Sequence, residues 1–162
     1  MAGSTRGIIR GPGASRRIDL GGFEVLVLAD ATDTDGAFSL IETAETEVGA
    51  GPPLHVHRDA IESFVVLAGR YVMVIEDEET ECAAGSFILV PRGVRHTFRS
   101  ASPDSRKLNL YTPAAMVGYF DELAAGIAAG IDESALEAIA GRYAMDVVGD
   151  VPDGYLADRA PD

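Results

Sequence analysis

The chain has 162 residues and a mass of 17.0 kDa, enough for one domain (1–162) around a single core. Twenty-six acidic against thirteen basic side chains leave a formal charge of −13, which speaks against nucleic acid or an anionic membrane as partner, since both need clustered Lys and Arg. The single cysteine, Cys82, excludes an intramolecular disulfide, and the longest strongly apolar run, Phe64 to Ala68, is far short of the roughly 20 residues that span a bilayer.

With no apolar leader at the N-terminus either, the expected setting is the cytoplasm. Residues 1–15, rich in Gly, Ser and Arg, read as a mobile arm or a loosely attached edge strand. Phe23 to Leu28 is a β-rich run, Asp30 to Gly36 a turn-forming stretch, and Phe38 to Thr46 alternates as a half-buried strand does. After the punctuation of Gly49, Gly51, Pro52 and Pro53, further strands are expected over 61–68, 71–76, 86–90, 96–100 and 107–111. The acidic run Glu76 to Glu81 is expected at a hairpin tip, solvated and blunting a sheet edge. Short strands at this spacing, with no helix between them, predict a mainly β antiparallel sandwich or barrel over about 16–112.

Beyond Tyr111 the period changes. Thr112 and Pro113 read as an N-cap with Pro at the first helical position, and Met116, Phe120, Leu123 and Ile127 then form one apolar stripe. A second helix is expected from Asp132 to about Tyr143, with Leu136, Ile139 and Tyr143 on one face and Ser134 with Glu137 as an alternative capping box. This hairpin, over about 113–145, reads as a cover packed on the sheets or on a partner subunit. An extended tail, about 146–162, follows.

The chain has only three histidines, His55, His57 and His96. Residues two apart in a strand share a face, so His55 and His57 enter one interior together. Glu62 follows after a connection that is long enough for a tight turn, and His96 opens a later strand beyond the turn made by Pro91 and Gly93. Three imidazoles and a carboxylate suit one divalent transition metal per chain: iron, nickel, manganese, cobalt or zinc. Four ligands on an ion that accepts five or six leave open positions, as a catalytic site requires. Strand parity from Glu62 nominates Phe64 and Val66 as pocket wall, and parity from His96 nominates Phe98.

These residues resemble the two motifs of the cupin superfamily. The first, G-x5-H-x-H-x(3,4)-E-x6-G, is matched by Gly49, His55, His57, Glu62 and Gly69. The second, G-x5-P-x-G-x2-H-x3-N, is matched by Gly85, Pro91, Gly93 and His96, with Ser100 in place of the final Asn. Ser100 falls outside the ligand set and bears only on a supporting or strand-end hydrogen bond. The short stretch between the motifs, Arg70 to Ala84, is similar to that of compact bacterial single-domain cupins. The segments TPAAMVGYFDEL and AGRYAMDVVGD look like those of the quercetin-dioxygenase-like group.

The resemblance implies a double-stranded β-helix (jelly-roll) cupin barrel with a C-terminal helical hairpin. It implies a mononuclear metal-dependent oxygenase for a small aromatic or enolic substrate, with dioxygen as co-substrate and Glu62 as ligand and base. The same ligands in cupins also serve non-oxidative isomerases, polyketide-type cyclases and decarboxylases, and some cupins only bind small molecules. A homodimer, formed by pairing sheets or exchanging N-terminal strands, is a further implication.

Overall fold

The structure, a computed structural model, describes residues 7–21 and 23–150. In chain order the elements are β1 (Arg16–Asp19), β2 (Glu24–Ala29), α1 (Ala31–Thr34), β3 (Ser39–Glu45), β4 (Leu54–His57), β5 (Ile61–Ala68), β6 (Arg70–Ile75), β7 (Glu78–Ala83), β8 (Phe87–Val90), β9 (His96–Ser100), β10 (Ser105–Thr112), α2 (Met116–Ala129), α3 (Glu133–Arg142) and β11 (Met145–Gly149). The strands form two antiparallel sheets, one of six strands in the order β1-β2-β3-β10-β5-β8 and one of five in the order β11-β4-β9-β6-β7. Their inner faces meet in a jelly roll. Phe64, Val66, Ile88 and Val90 of the first sheet pack with Tyr71, Met73, Cys82 and Phe98 of the second, closing one end.

Glycine corners turn the chain where strands change sheet. Gly69 and Gly93 take φ of 66° and 77°, values that a side chain disfavours, and the Gly93 N–H donates to the His57 carbonyl at 2.8 Å. That bond ties the turn ahead of His96 to the end of the H-x-H strand. Ser100 closes the other end of β9. Its hydroxyl donates to the Glu47 carbonyl and accepts from the Ala50 N–H at 3.1 Å, so it clasps the loop that leads into β4.

Several local expectations are corrected. Thr112 does not cap a helix. It pairs with Ile61 in the β5–β10 ladder, and α2 begins only at Met116, because the cooperative ladder outweighs a single cap bond. The acidic run is not all hairpin tip: Glu78 to Glu81 belong to β7, the edge strand of the five-stranded sheet, and face solvent there. The stretch Asp30 to Gly36 contains the single turn α1, held by a capping box between Asp30 and Asp33. The tail expected from 146 begins instead as β11, hydrogen-bonded to β4. Residues 1–6 of the expected arm and 151–162 of the expected tail lie outside the described residues.

The helical hairpin is a cover, as its apolar stripes predict. α3 starts at the Asp132 cap, whose side chain accepts from the Ala135 N–H at 2.9 Å. Met116, Val117 and Ala140 are buried in a second core cluster with Ile18, Val25, Ile41 and Tyr111, against the six-stranded sheet. No helix among the described residues is long and apolar enough to cross a membrane.

Candidate metal centre

His55 and His57 alternate inward on β4, and His96 stands directly across the β4–β9 ladder from His55. Glu62 reaches the same point from the facing sheet, where β5 sets it opposite Tyr111 of β10. Three donors therefore come from one sheet and the fourth from the other. One ligand atom from each of the four residues lies within 4.8 Å of all the others, and all four side chains are buried.

The Nδ1 atoms of His55 and His96 lie 2.9 and 3.0 Å from the carbonyl oxygens of Pro53 and Val94. A carbonyl only accepts, so Nδ1 carries a proton in both rings, and each ring in its neutral form presents the Nε2 lone pair to the cluster. Glu62 Oε2 is 2.9 Å from His96 Nε2, 3.0 Å from His57 Nε2 and 4.0 Å from His55 Nε2. A carboxylate oxygen meeting Nε2 atoms at these distances needs either a proton or a metal ion between them. Two ligands bound at about 2.1 Å and at right angles stand about 3.0 Å apart, so the short separations fit one transition-metal ion.

The protonation equilibria of the cluster follow its geometry. Burial pushes the Glu62 carboxyl up, but the hydrogen bonds from His57 and His96 overcome this and hold it well below the usual carboxylate range. Burial pulls His55 down to about 3, and the neighbouring His96 adds to the effect. His96 moves the other way: burial lowers it, but its direct bond to Glu62 leaves it raised. Asn109 Nδ2 donates to Glu62 Oε1 at 2.9 Å, fixing the plane of the carboxylate. Burial, reinforced by the charge of Glu62, holds the Tyr111 phenol protonated well above its usual range.

The cluster opens on a cavity of about 490 Å³. Phe98 lines it, together with Pro53, Ile41 and the helix residues Met116, Phe120 and Leu123. Phe64 and Val66, nominated by the same parity argument, sit in the closed core cluster with Tyr71 and Ile88 and are not part of the cavity wall. Alternation identifies the inward face; it does not say at which level between the sheets a side chain will lie.

A comparison with known families matches residues 43–109 to the one described as "Cupin domain", a span that contains all four clustered side chains. Residues 43–109 thus carry a cupin domain. Among curated proteins the chain is similar to a quercetin 2,3-dioxygenase of Bacillus subtilis, 29% identical over 80 residues that make up 49% of this chain and 23% of that protein. It is also similar to an uncharacterised protein of Streptomyces coelicolor, 38% identical over 52 residues, 32% of this chain and 50% of the other. The matches thus span about a quarter and a half of the length of these curated relatives. Among solved structures, Pac13, described as a nucleoside dehydratase, superposes with a TM-score of 0.58 at 13% identity, covering 90% of this chain and 93% of that one. KdgF from a Halomonas species gives 0.55 at 17% identity, covering 67% and 94%. At these identities the likeness is one of fold.

The cavity also holds a polar group that sequence reasoning missed. Lys107, the only lysine in the chain, is almost fully buried and donates to Glu45 Oε1 and Thr43 Oγ1, each at 2.6 Å. The Tyr71 hydroxyl donates to the other oxygen of Glu45. Thr43, Glu45, Lys107 and Asn109 all line the cavity. A signal was present in β10: Lys107, Asn109 and Tyr111 alternate with Leu108 and Leu110. Ordinary patterning would turn the leucines inward, and the structure turns the polar set inward instead.

Proposed function

We propose that this protein is a mononuclear metal-dependent cupin enzyme, an oxygenase of the quercetin-dioxygenase-like kind acting on a small aromatic or enolic substrate. One observation carries the reading: four buried donors that fit a transition-metal ion open onto a mainly apolar cavity of about 490 Å³. The similarity of half the chain to a quercetin 2,3-dioxygenase supports the oxidative form of it.

A bound ion would be held by His55, His57, Glu62 and His96 and would supply Lewis-acid and, for iron, nickel, manganese or cobalt, redox chemistry. Pro53 and Val94 orient His55 and His96 through their Nδ1–H bonds. Glu62 takes a proton from a substrate enol or hydroxyl. While His57 and His96 hold Oε2 the carboxylate is a poor base, so it gains basicity as those contacts loosen, with Asn109 retaining Oε1. Phe98, Met116, Phe120 and Leu123 bind the apolar body of the substrate and exclude water.

The second reading keeps the site and drops the oxygen chemistry: an isomerase, polyketide-type cyclase or decarboxylase. It draws support from the likeness in fold to Pac13, which is described as a dehydratase, since one fold hosts several chemistries. A cytoplasmic setting belongs to either reading, and the free thiol Cys82 supports it. So does a homodimer. Val65, Leu67, Phe87 and Leu89 form an exposed apolar row on the outer face of the six-stranded sheet, continued by the half-buried Leu108 and Leu110.

The test is elemental analysis of untagged, gently purified protein, followed by oxygen-uptake screens with flavonols and other enolic substrates. About one ion per chain is expected for the wild type and for Ser100→Asn, and none for His96→Ala. Retention of the full complement by His96→Ala would show the constellation to be wrong. Turnover without oxygen would select the second reading. Failure to bind any metal after reconstitution would leave only a small-molecule-binding barrel.

A further inference from the structure

Two unspent hydrogen-bonding capacities sit side by side on β10. The Lys107 ammonium has three N–H bonds and donates to two oxygens, Thr43 Oγ1 and Glu45 Oε1; beyond these it faces the rings of Phe98 and Tyr71, whose centroids are 4.1 and 4.9 Å from Nζ and which offer no conventional acceptor. Asn109 Nδ2 is committed to the Glu62 carboxylate, which cannot donate, so the amide orientation is fixed and Oδ1 faces away from it. That Oδ1 is buried and has no partner. Both residues line the cavity on the same face of one strand, roughly 7 Å apart by strand geometry.

An orphaned buried acceptor costs about 1–3 kcal/mol, and a buried ion pair is rarely more stable than an apolar pair of the same volume. Neither is explained by packing. Both are explained by a ligand that supplies an acceptor to Lys107 and a donor to Asn109. The acceptor that an ammonium rewards most is an anionic oxygen, through a charge-assisted bond. The donor that fits an amide oxygen next to the candidate metal ligand Glu62 is a hydroxyl.

We propose that Lys107 and Asn109 form a recognition strip for a small hydroxylated carboxylate. The carboxylate lies against Lys107, the hydroxyl donates to Asn109 Oδ1 beside Glu62, and the apolar body rests against Phe98 and the helices. The inference deepens the proposed function by naming a substrate class for the same cavity. It is read by binding, not by turnover, so it can fail or stand independently of the metalloenzyme reading.

The experiment is titration calorimetry with 4-hydroxybenzoate, its methyl ester and benzoate, on protein whose metal content is measured in the same sample. 4-Hydroxybenzoate is expected to bind about tenfold tighter than the ester, which lacks the anionic oxygens, and about tenfold tighter than benzoate, which lacks the donor. The double variant Glu45→Gln/Lys107→Met removes both charges together, leaving no unpaired buried ion, and is expected to lose the preference over the ester while keeping the preference over benzoate. Asn109→Leu is expected to do the reverse. These are ratios within one variant, which a merely destabilised barrel would not shift selectively. Unchanged ratios in both variants, or no saturable binding of 4-hydroxybenzoate to the wild type, would overturn the proposal.

Discussion

His55 and His96 lie 4.0 and 2.9 Å from the same carboxylate oxygen, and that difference separates their protonation. His96 shares a hydrogen bond with Glu62 and is raised; His55, too far for one, is governed by burial and falls to about 3 from an ordinary 6.5. A buried histidine that refuses a proton destabilises the fold wherever the unfolded chain accepts one. The contribution of His55 is therefore complete above about pH 6.5 and is lost progressively as pH falls toward 3. His96 opposes this, since its pairing with Glu62 is gained on acidification. Glu62, depressed by the same bonds, adds an acid loss only below the ordinary carboxylate range. Between pH 6.5 and 4.5 the metal-free protein should thus lose melting temperature, and His55→Gln should flatten that loss. Thermal scans in chelator across this window check it; parallel curves for the two proteins would refute it.

Among the elements, the approach of the β4 lead-in to β9 is the tightest contact near the site. A Cβ built on Gly51 would stand 1.9 Å from the Phe98 carbonyl oxygen, and Pro52 next to it accepts from Thr97 Oγ1 at 2.7 Å. Gly51→Ala would push β9, with His96 at its start, away from β4. A loss of at least about 2 kcal/mol is expected, or roughly 4–8 °C in Tm, together with weaker metal retention. Gly85→Ala is the control, since φ there is 93° but nothing lies within 4 Å, and only backbone strain of about 1 kcal/mol is expected, with metal retained. Scanning calorimetry and elemental analysis on both variants would separate close approach from strain.

At the scale of the molecule, the two faces of the six-stranded sheet depart from ordinary patterning together. The inner face carries Thr43, Glu45, Lys107 and Asn109, and the outer face carries Val65, Leu67, Phe87 and Leu89. A sheet with polar side chains on its cavity face and an apolar row outside fits an assembly whose partner covers that row. Light scattering should report a dimer for the wild type and a monomer for Phe87→Glu/Leu89→Lys, with the metal content unchanged. A wild-type monomer, or a variant that still dimerises, would exclude this face.

The four clustered side chains were legible in part because their direction is local: H-x-H follows from strand parity, Glu62 from one tight turn, and His96 from the Pro91–Gly93 turn. That they converge rests on the β4–β9 pairing and on the facing sheet, contacts distant in sequence that only the resemblance to the cupin motifs implied. The helices were legible for the same reason, as periodic stripes with a cap at Asp132. Their start was not, because Thr112 belongs to a ladder with Ile61, a partner that is distant in sequence. β11 was missed likewise, since a strand of five residues exists only by pairing with the open edge of β4. Tertiary structure alone decided that Phe98 faces the cavity while Phe64 and Val66 close the core, and that β10 turns Lys107 and Asn109 inward. Alternation is a property of one strand; depth between two sheets, and the side on which the cavity lies, are properties of their packing.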